Sequence, residues 1–339
     1  MIGKLLKKNE FRFIAIFLAS AALFAAFIFL LAVIVDPHND FGTELFKPLV
    51  LTNRTEKMET LSRLQPAPQA VIFGSSRVFG MDPEYVENKI GQATYNASVS
   101  YARPEDHWAL LNFIVNDLKI APKTVIVGLN LGEMNDDETE PQTLHNKNLS
   151  KYLIGGTEAK TKTYLQTFKK SLNSSYIRDI FLAMFKIYEK KDGVKFLSNG
   201  KIDRPFVYLS GSEKKNTYED TYRRASALFE NTEKLNPLRK LYLENFLSFA
   251  NQNNIKVKLI LLPMPEAITE KLQSETDYEA IYEEFIKYEG ELASAFSFDF
   301  YDFISVKNFG GDENDFDDAT HPGMHNLNLI TEKIFETKK

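Results

Sequence analysis

Residues 70–81 read AVIFGSSRVFGM, an apolar run followed by a glycine, two serines and an arginine. The run from Ala70 to Phe73 predicts a short buried strand. Gly74 lets the backbone turn sharply after that strand, so that a serine hydroxyl can point out of the sheet. Because ligands of open α/β sheets bind outside the carboxyl ends of the strands, Ser75 and Ser76 are the first candidate site residues.

Further apolar segments predict strands, and helical patterns lie between them. The predicted strands are Thr94 to Asn96, Thr124 to Leu129, Val257 to Leu262 and Phe298 to Tyr301. The predicted helices include Pro104 to Asp117, Pro237 to Asn253 and Asp277 to Ala295. This alternation predicts an α/β fold in which helices cover both faces of a parallel sheet.

The N-terminal region has a different character. The segment from Phe13 to Val35 carries no charge and, at about 1.5 Å per helical residue, is long enough to cross a bilayer core of roughly 30 Å. Cations precede it and carboxylates follow it: Lys4, Lys7, Lys8 and Arg12, then Asp36 and Asp40. The positive-inside rule therefore predicts a cytosolic N-terminus and an extracytoplasmic main domain. The alternative is a cleaved signal peptide, whose apolar region is shorter, at roughly 7–15 residues.

Composition narrows the function classes. The chain has 339 residues, of which 44% are hydrophobic, and a formal net charge of −5. No basic stripe occurs, so nucleic-acid binding is not expected. The chain has no cysteine, which excludes structural disulfides, a lipid-modified cysteine and thiolate chemistry.

These patterns predict three regions. A membrane helix with a basic start occupies 1–35, and a juxtamembrane connector occupies 36–69, with one short helix from about Arg54 to Leu64. An α/β domain then runs from Ala70 to residue 339. Between about 137 and 234 the alternation breaks, and this length is too great for a plain crossover. We interpret it as an insertion with helices near 160–190 and 218–230, serving as a lid or as a docking surface.

A serine nucleophile needs a base within hydrogen-bond reach and a third group that orients the base. The segment Asp318-Ala319-Thr320-His321-Pro322 offers both. Pro322 suits the first position of a helix, which would place His321 at a loop-to-helix junction. Asp318 could accept the Nδ1–H of His321 and leave Nε2 free for a serine proton. Each motif alone is common in turns and caps, but together they indicate a serine-based site.

These blocks resemble those of the SGNH/GDSL hydrolase superfamily. Gly74-Ser75-Ser76 is similar to its first block, Gly-Asp-Ser, which maps the nucleophile to Ser76. Asn96-Ala97-Ser98-Val99-Ser100 resembles the second block, and Asp318 to Pro322 resembles the last, Asp-x-x-His-Pro. The resemblance implies a flavodoxin-like three-layer parallel sheet, catalysis by Ser76, His321 and Asp318, and no cofactor.

Two positions depart from the family pattern. Tyr101 stands where the second block has a glycine whose N–H serves the oxyanion hole, and a tyrosine adopts glycine's backbone conformations less readily. The third block supplies a side-chain amide, for which both Asn130 and Asn135 qualify, and Asn130 is nearer to the strand. With Ser75 and Arg77 these complete the predicted oxyanion and substrate-binding set. Arg77 could hold an anionic substrate group or form a structural ion pair, and Arg103 has the same two interpretations.

The chain resembles one membrane-anchored branch of this superfamily, which is related to the teichoic-acid D-alanyl transfer protein and the alginate O-acetylation proteins. The shared features are Gly-Ser-Ser, one membrane helix and a large insertion. This likeness implies acyl transfer to a cell-envelope polysaccharide at the cytoplasmic membrane, in the periplasm or its equivalent, beside a membrane-bound O-acyltransferase. The alternatives are a non-catalytic scaffold that binds glycan or docks such a partner, and a hydrolase that removes acetyl groups.

The remaining histidines suggest no metal site. His325 follows His321 by four residues and could share a helical face with it, but no further ligands complete a set. We therefore expect no metal. His38, His107 and His145 are expected at the surface or in helix caps.

Overall fold

The computed structural model describes residues 8–43, 45–49, 53–135, 140–185, 195–203, 211–230 and 234–336. Contacts divide the chain into two compact units. Residues 1–52 and 155–193 form the first unit, and residues 53–154 and 194–339 form the second.

The described residues form these helices, in chain order: α1 (Lys8–Val35), α2 (Arg54–Arg63), α3 (Pro83–Ile90), α4 (Pro104–Asn112), α5 (Pro141–His145), α6 (Lys147–Ser150), α7 (Gly156–Ser171), α8 (Ser174–Phe185), α9 (Gly211–Ser226), α10 (Pro237–Gln252), α11 (Glu266–Glu275), α12 (Tyr278–Ala295) and α13 (Met324–Phe335). The strands are β1 (Ala70–Gly74), β2 (Thr94–Asn96), β3 (Thr124–Leu129), β4 (Lys256–Leu261) and β5 (Asp299–Asp302). Short 3₁₀ turns follow β1 and β3 at Ser76–Val78 and Leu131–Met134.

The five strands form one parallel sheet in the order β2-β1-β3-β4-β5. This is the flavodoxin-like order of doubly wound sheets, so the predicted α/β fold is confirmed. The predicted bounds of β4 and β5 differ from the observed ones by one residue. The predicted helix from Pro104 ends as α4 at Asn112 and continues as a π-helical turn, Phe113–Asp117.

The sheet has a separate apolar core on each face, because successive side chains of a strand point to opposite sides. On one face Phe73, Val127 and Leu259 pack with α4, α10 and α12. On the other face Ile72, Ile126 and Ile260 pack with α3 and α13, so the domain has three layers. The central strands β1 and β3 are buried along their whole length, which accounts for their continuous apolar sequences.

Two glycines allow the turn after β1 to lie directly on the sheet. Gly74 pairs with Gly128 of β3, and Val78 packs over both. A Cβ on Gly74 would lie 2.5 Å from Val78 Cγ2 and 3.0 Å from the Gly128 carbonyl oxygen. Its φ of +154° is also one that side-chain-bearing residues rarely adopt. Glycine at this position therefore brings the chain back over the strand end immediately before Ser76.

The second unit begins before the predicted boundary at Ala70. In α2, Met58 and Leu61 belong to the larger core, and Arg54 binds Asp106 of α4 through two hydrogen bonds of 2.8 and 3.0 Å. The predicted connector 36–69 is thus divided between the two units. The predicted insertion is divided as well, since residues 155–193 belong to the first unit. Its residues 137–139, 186–194, 204–210 and 231–233 lie outside the described part of the chain.

In the first unit, the segment Glu10–Val35 of α1 is long and apolar enough to cross a membrane, with a mean hydropathy of 2.8. A signal sequence has the same character, so the choice between anchor and signal stays a prediction. The preceding Lys4 and Lys7 lie outside the described residues.

We expect Gly74→Ala to lower the thermal unfolding midpoint, because the added methyl group overpacks the turn at a cost of about 1–3 kcal/mol. Gly290→Ala is the matched control. Gly290 lies in α12 with no heavy atom within 4 Å of an added Cβ, so alanine should stabilise the helix by about 0.5–1 kcal/mol. Scanning fluorimetry of the full chain in detergent measures both shifts, and two shifts of the same sign would contradict the packing described here.

Candidate active site

Ser76 lies at the carboxyl edge of the sheet, two residues beyond the end of β1 proper. Ser75 is extended, and Ser76 begins the 3₁₀ turn in which the N–H groups of Val78 and Phe79 bond to the carbonyls of Ser75 and Ser76. Ser76 is half-buried, whereas Ser75 is buried. The turn therefore presents the Ser76 hydroxyl rather than that of Ser75 at the surface of the site.

The structure brings Ser76, His321 and Asp318 into one hydrogen-bonded chain. His321 Nε2 lies 2.9 Å from Ser76 Oγ, although the two residues are 245 positions apart in the sequence. His321 Nδ1 lies 2.7 Å from Asp318 Oδ2. Bonded in this way, Nδ1 donates its proton to the carboxylate, and Nε2 is left to accept a proton from the serine.

Asp318 is held as a carboxylate by its local hydrogen bonds. Its Oδ1 accepts the backbone N–H groups of Thr320 at 2.7 Å and His321 at 2.8 Å. Burial acts to raise the pKa of Asp318, but the hydrogen bond and charge of His321 and these two N–H groups outweigh it. The pKa of Asp318 therefore lies well below its ordinary value, and the group stays ionised at neutral pH.

The loop that carries Asp318 and His321 is closed by backbone bonds and by one buried amide. The N–H of Asp317 bonds to the carbonyl of His321 at 2.9 Å. Asn326 of α13 is fully buried, and its Nδ2 donates to the carbonyls of Asp312 and Asp315 at 2.8 and 2.9 Å. The sequence patterns did not indicate Asn326, and its only signal is a polar residue on an otherwise apolar face of the last helix.

Arg77 joins the nucleophile turn to this loop. Its Nε donates to the carbonyl of Thr320 at 3.0 Å, and its Nη2 donates to the carbonyl of Pro263, which follows β4. Burial lowers the pKa of Arg77 to about 10, against the favourable charges of Glu133 and Asp318. The guanidinium thus binds backbone carbonyls rather than forming the predicted ion pair, and its predicted contact with an anionic substrate stays a prediction.

Asn96 fixes the nucleophile turn from the side of β2. Its Nδ2 donates to the carbonyls of Val78 at 2.8 Å and Met81 at 3.0 Å, and its Oδ1 accepts the N–H of Ser98. The sequence indicated this asparagine only as the first residue of the second block. Its role is structural, because it satisfies carbonyls of the turn that begins at Ser76.

Three N–H donors at the carboxyl edge of the sheet have no acceptor among the described residues: the backbone N–H groups of Ser76 and Tyr101 and the side-chain amide of Asn130. The register relates them, because Gly74 pairs with Gly128 and its carbonyl accepts the N–H of Val99 at 3.0 Å. Each donor residue lies two positions beyond one of these three residues. All three donors therefore lie at the same edge of the sheet.

Tyr101 adopts the backbone conformation that glycine favours, with a φ of 52°, and its side chain is exposed. A left-handed conformation costs a non-glycine residue about 1–2 kcal/mol. Tyr101 thus takes the backbone conformation of the glycine in the family pattern, at a conformational cost that glycine would not have. Among the described residues the Tyr101 N–H has no internal acceptor.

The two candidate asparagines of the third block differ in their bonding. Asn135 Nδ2 donates to the carbonyl of Leu228. Asn130 uses only its Oδ1, which accepts the N–H of Gly132 at 3.3 Å. The amide hydrogens of Asn130 thus remain available for a ligand. The residues that follow this block, 136–139, lie outside the described part of the chain.

Glu133 is a titratable group behind the nucleophile turn. Its Oε2 accepts the backbone N–H of Asn130 at 3.1 Å. Burial raises the pKa of Glu133 to about 7, although the Asn130 N–H, the Ser75 hydroxyl and the charges of Arg77 and Arg103 lower it. From sequence, Glu133 belongs to an acidic run that is usually solvated, and nothing in its local sequence indicates burial.

A cavity of ≈ 170 Å³ opens beside Ser76 and His321. It is lined by Ser76, Arg77, Gly80, Lys201, Ile202, Asp203, Asp315, Asp317, His321, Pro322, Met324 and Leu327. It is smaller than the roughly 300–1,000 Å³ that is usual for pockets that enclose drug-sized ligands. Its mixture of carboxylates, a lysine and apolar side chains suits a small polar group.

Other predicted residues are placed differently from expectation. Pro322 does not begin the last helix, because α13 starts at Met324 with Gly323 as its N-cap, so His321 and His325 do not share a helical face. His107 is 1% exposed on the inner side of α4, where burial lowers its pKa to about 4, so it is neither a surface nor a capping residue. Arg103 forms an ion pair with Glu140 at 3.3 Å, which supports its structural interpretation.

Solved structures resemble this chain at low sequence identity. No family model matches the chain, and no curated protein matches it. One similar solved structure is a "putative acylhydrolase" from Bacteroides fragilis, with 11% identity, coverage of 83% of this chain and 93% of that chain, and a TM-score of 0.34. Another is a "putative lipolytic protein of G-D-S-L family" from Desulfitobacterium hafniense, with 12% identity, coverage of 79% and 98%, and a TM-score of 0.32.

We expect Glu133 to make stability depend on pH. Because its pKa is raised in the folded chain, the folded state binds this proton more tightly than the unfolded state, and stability falls as the pH rises from about 4.5 through about 7. Glu133→Gln removes this titration. The unfolding midpoint of the variant, relative to the parent, should therefore increase between pH 5 and pH 8.

The control is Glu87→Gln on α3, where the side chain is exposed and the difference from the parent should stay constant across the same pH range. Thermal scans of the full chain in detergent at each pH measure both. A constant difference for Glu133→Gln would show that Glu133 is ionised in the folded state throughout this range.

Proposed function

We propose that the chain is a membrane-anchored, extracytoplasmic serine esterase or acyltransferase of the SGNH type. The observation that carries the proposal is the hydrogen-bonded chain from Ser76 Oγ through His321 to Asp318. A scaffold has no need of an imidazole held 2.9 Å from a half-buried serine hydroxyl by a carboxylate of lowered pKa. Such an arrangement activates a nucleophile.

In the proposed reaction, Ser76 Oγ attacks the carbonyl carbon of an ester while His321 Nε2 takes the serine proton. The tetrahedral oxyanion accepts hydrogen bonds from the N–H groups of Ser76 and Tyr101 and from the Asn130 amide. His321 then gives its proton to the leaving alkoxide, and the acyl group remains on Ser76. An acceptor hydroxyl attacks this acyl-enzyme as His321 takes its proton, and collapse of the second intermediate returns a proton to Ser76.

The size of the cavity beside Ser76 supports a short acyl group. A volume of ≈ 170 Å³ has room for an acetyl group and part of a sugar ring but not for a long acyl chain. The polar lining suits sugar hydroxyls. We therefore propose O-acetyl groups of a cell-envelope polysaccharide as the substrate, in keeping with the resemblance of the sequence blocks.

Transfer rather than hydrolysis is proposed on the same resemblance and on the apolar helix Glu10–Val35, which would keep the enzyme close to its polymer. A membrane-bound O-acyltransferase is the proposed source of the acyl group. Acetyl release in the presence and absence of a polysaccharide acceptor distinguishes the two reactions, because only a transferase gives acetylated polymer.

Ser76→Ala should abolish labelling by a fluorophosphonate and reduce turnover of a small acetyl ester by about 10³-fold or more, since the nucleophile is lost. Ser75→Ala is the matched control for labelling, because the neighbouring hydroxyl has no bond to His321 and its loss should leave Ser76 reactive. Both assays use the full chain in detergent. An unlabelled, inactive parent chain that still binds glycan or a membrane acyltransferase would favour the scaffold alternative.

Asp318→Asn should lower ester turnover by about 10²–10⁴-fold, because the amide holds the wrong tautomer of His321 and does not stabilise the imidazolium. Asp299→Asn at the exposed start of β5 is the control, with no expected effect. If Asp318→Asn keeps the parent rate, His321 is not oriented by this carboxylate during the reaction.

A further inference from the structure

The helices α7 and α8 of the first unit carry exposed apolar side chains. These are Leu165 and Phe168 on α7, Leu172 at the C-cap of α7, and Phe181 and Phe185 on α8, with exposures of 62, 38, 47, 47 and 63%. The spacing of three and then four residues from Leu165 to Leu172, and of four residues from Phe181 to Phe185, places each set on one face. Among the described residues of the second unit, exposed large apolar side chains such as Leu197 and Leu241 are scattered along the chain.

The helix α8 packs along the carboxyl end of α1. Tyr176, near the start of α8, donates a hydrogen bond of 2.9 Å to Asp40, which lies beyond the end of α1. Further along α8, Ile180 and Ala183 share a core with Ala32 and Val35 of α1. The helix α8 therefore runs back along α1 from its carboxyl end, and Phe185 lies at the far end of this run.

Aromatic contacts hold α7 against the carboxyl end of α1 as well. The ring of Phe168 packs edge-on against Phe29 of α1 at 5.2 Å between centroids. The ring of Tyr164 stacks on Phe41 at 5.4 Å. Together α7 and α8 form a hairpin, residues 156–185. Both of its helices thus contact the last third of α1 and the residues that immediately follow it.

The length of α1 indicates how deep in a bilayer its contacts with α7 and α8 would lie. The apolar segment Glu10–Val35 has 26 residues, or about 39 Å of helix, against about 30 Å for the hydrocarbon core of a bilayer. The buried stripe Ile28, Ala32 and Val35 lies within the last eight of these residues. If α1 spans the membrane, the hairpin lies at the boundary between acyl chains and headgroups, where the bilayer is within reach of its apolar face.

The charge of the hairpin suits that position. Residues 155–185 contain five lysines or arginines and two acidic residues, although the whole chain has a net charge of −5. Lys169 and Lys170 follow Phe168 directly and are exposed, and Arg178, whose side chain is 68% exposed, pairs with Asp179 at 2.9 Å. Cations that flank an apolar helix face are typical of helices that lie in an anionic membrane interface.

We propose that the α7–α8 hairpin, residues 156–185, is a second membrane-binding element, which lies in the bilayer interface beside α1 with its exposed apolar face in the lipid. The occupant of this face is the lipid itself, with anionic headgroups around the lysines. The proposal depends on a membrane-spanning α1 and is independent of the proposed catalysis. A second copy of the chain, or a helix of another membrane protein, would be a different occupant.

The absence of cysteine from the chain makes a direct test possible, because any introduced cysteine is the only one. Single variants Leu165→Cys, Leu172→Cys, Phe181→Cys and Phe185→Cys of the full chain are spin-labelled and reconstituted, highly diluted, into phosphatidylglycerol–phosphatidylethanolamine vesicles. Collision with oxygen, which concentrates in lipid, is compared with collision with a water-soluble nickel chelate. Leu23→Cys in α1 is the lipid control, and Lys123→Cys, exposed in the second unit, is the aqueous control.

We expect the four hairpin labels to favour oxygen over the nickel chelate, as Leu23→Cys does and Lys123→Cys does not. Labels as accessible to the chelate as Lys123→Cys would overturn the proposal, since the face would then be in water. Labels shielded from both reagents would also overturn it, because a protein would then cover the face. The unfolding midpoint of each variant, compared with the parent, checks that the cysteine leaves the fold intact, and no readout depends on enzyme activity.

Discussion

The guanidinium of Arg77 connects three segments that are distant in the sequence, and the geometry of the site depends on it. Arg77 directly follows Ser76. Its guanidinium donates to the carbonyl of Thr320, the residue before His321 and 243 positions away, and to the carbonyl of Pro263, which follows β4. A planar guanidinium can bond to several acceptors in fixed directions, whereas the ammonium of a lysine acts as a point charge. The nucleophile and the base are therefore positioned through a bond between the residues next to them, Arg77 and Thr320.

Three further residues fix the loops that carry Ser76 and His321. Asn96 binds carbonyls of the turn after Ser76, Asn326 binds carbonyls of the loop before His321, and Gly74 allows the turn to approach β3. Each contact satisfies a buried polar group or removes a side chain that would prevent close approach. The hydrogen bonds of Asp318 and His321 form within this frame, so their geometry follows from the fold of the loops.

Much of the fold could be predicted from local sequence, because buried parallel strands are continuous apolar runs. The predicted bounds of β2 and β3 agree with the structure, while β4 and β5 shift by one residue where charged residues, Lys256 and Asp302, stand at their ends. The assignment of α2 to the second unit could not be predicted. Its charged residues Arg54 and Lys57 are buried against Asp106 and backbone carbonyls, partners that a local pattern does not show.

At the site, sequence indicated the residues whose chemistry is intrinsic, a serine, a histidine and an aspartate. Sequence did not indicate the residues whose role depends on their surroundings in the folded chain. Glu133 belongs to an acidic stretch that is usually solvated, and burial, which its local sequence does not indicate, raises its pKa. Tyr101 adopts a left-handed backbone because the loop after β2 requires it, although the residue type disfavours it.

The division of the chain between its two units has a consequence for its synthesis. Ala32 and Val35 of α1 pack against α8, so about 150 residues must be added after Val35 before α8 ends at Phe185. Until then Ala32 and Val35 lack their contacts with Tyr176, Ile180 and Ala183. A nascent chain that stalled before α8 would therefore expose more of this apolar surface than the finished chain does.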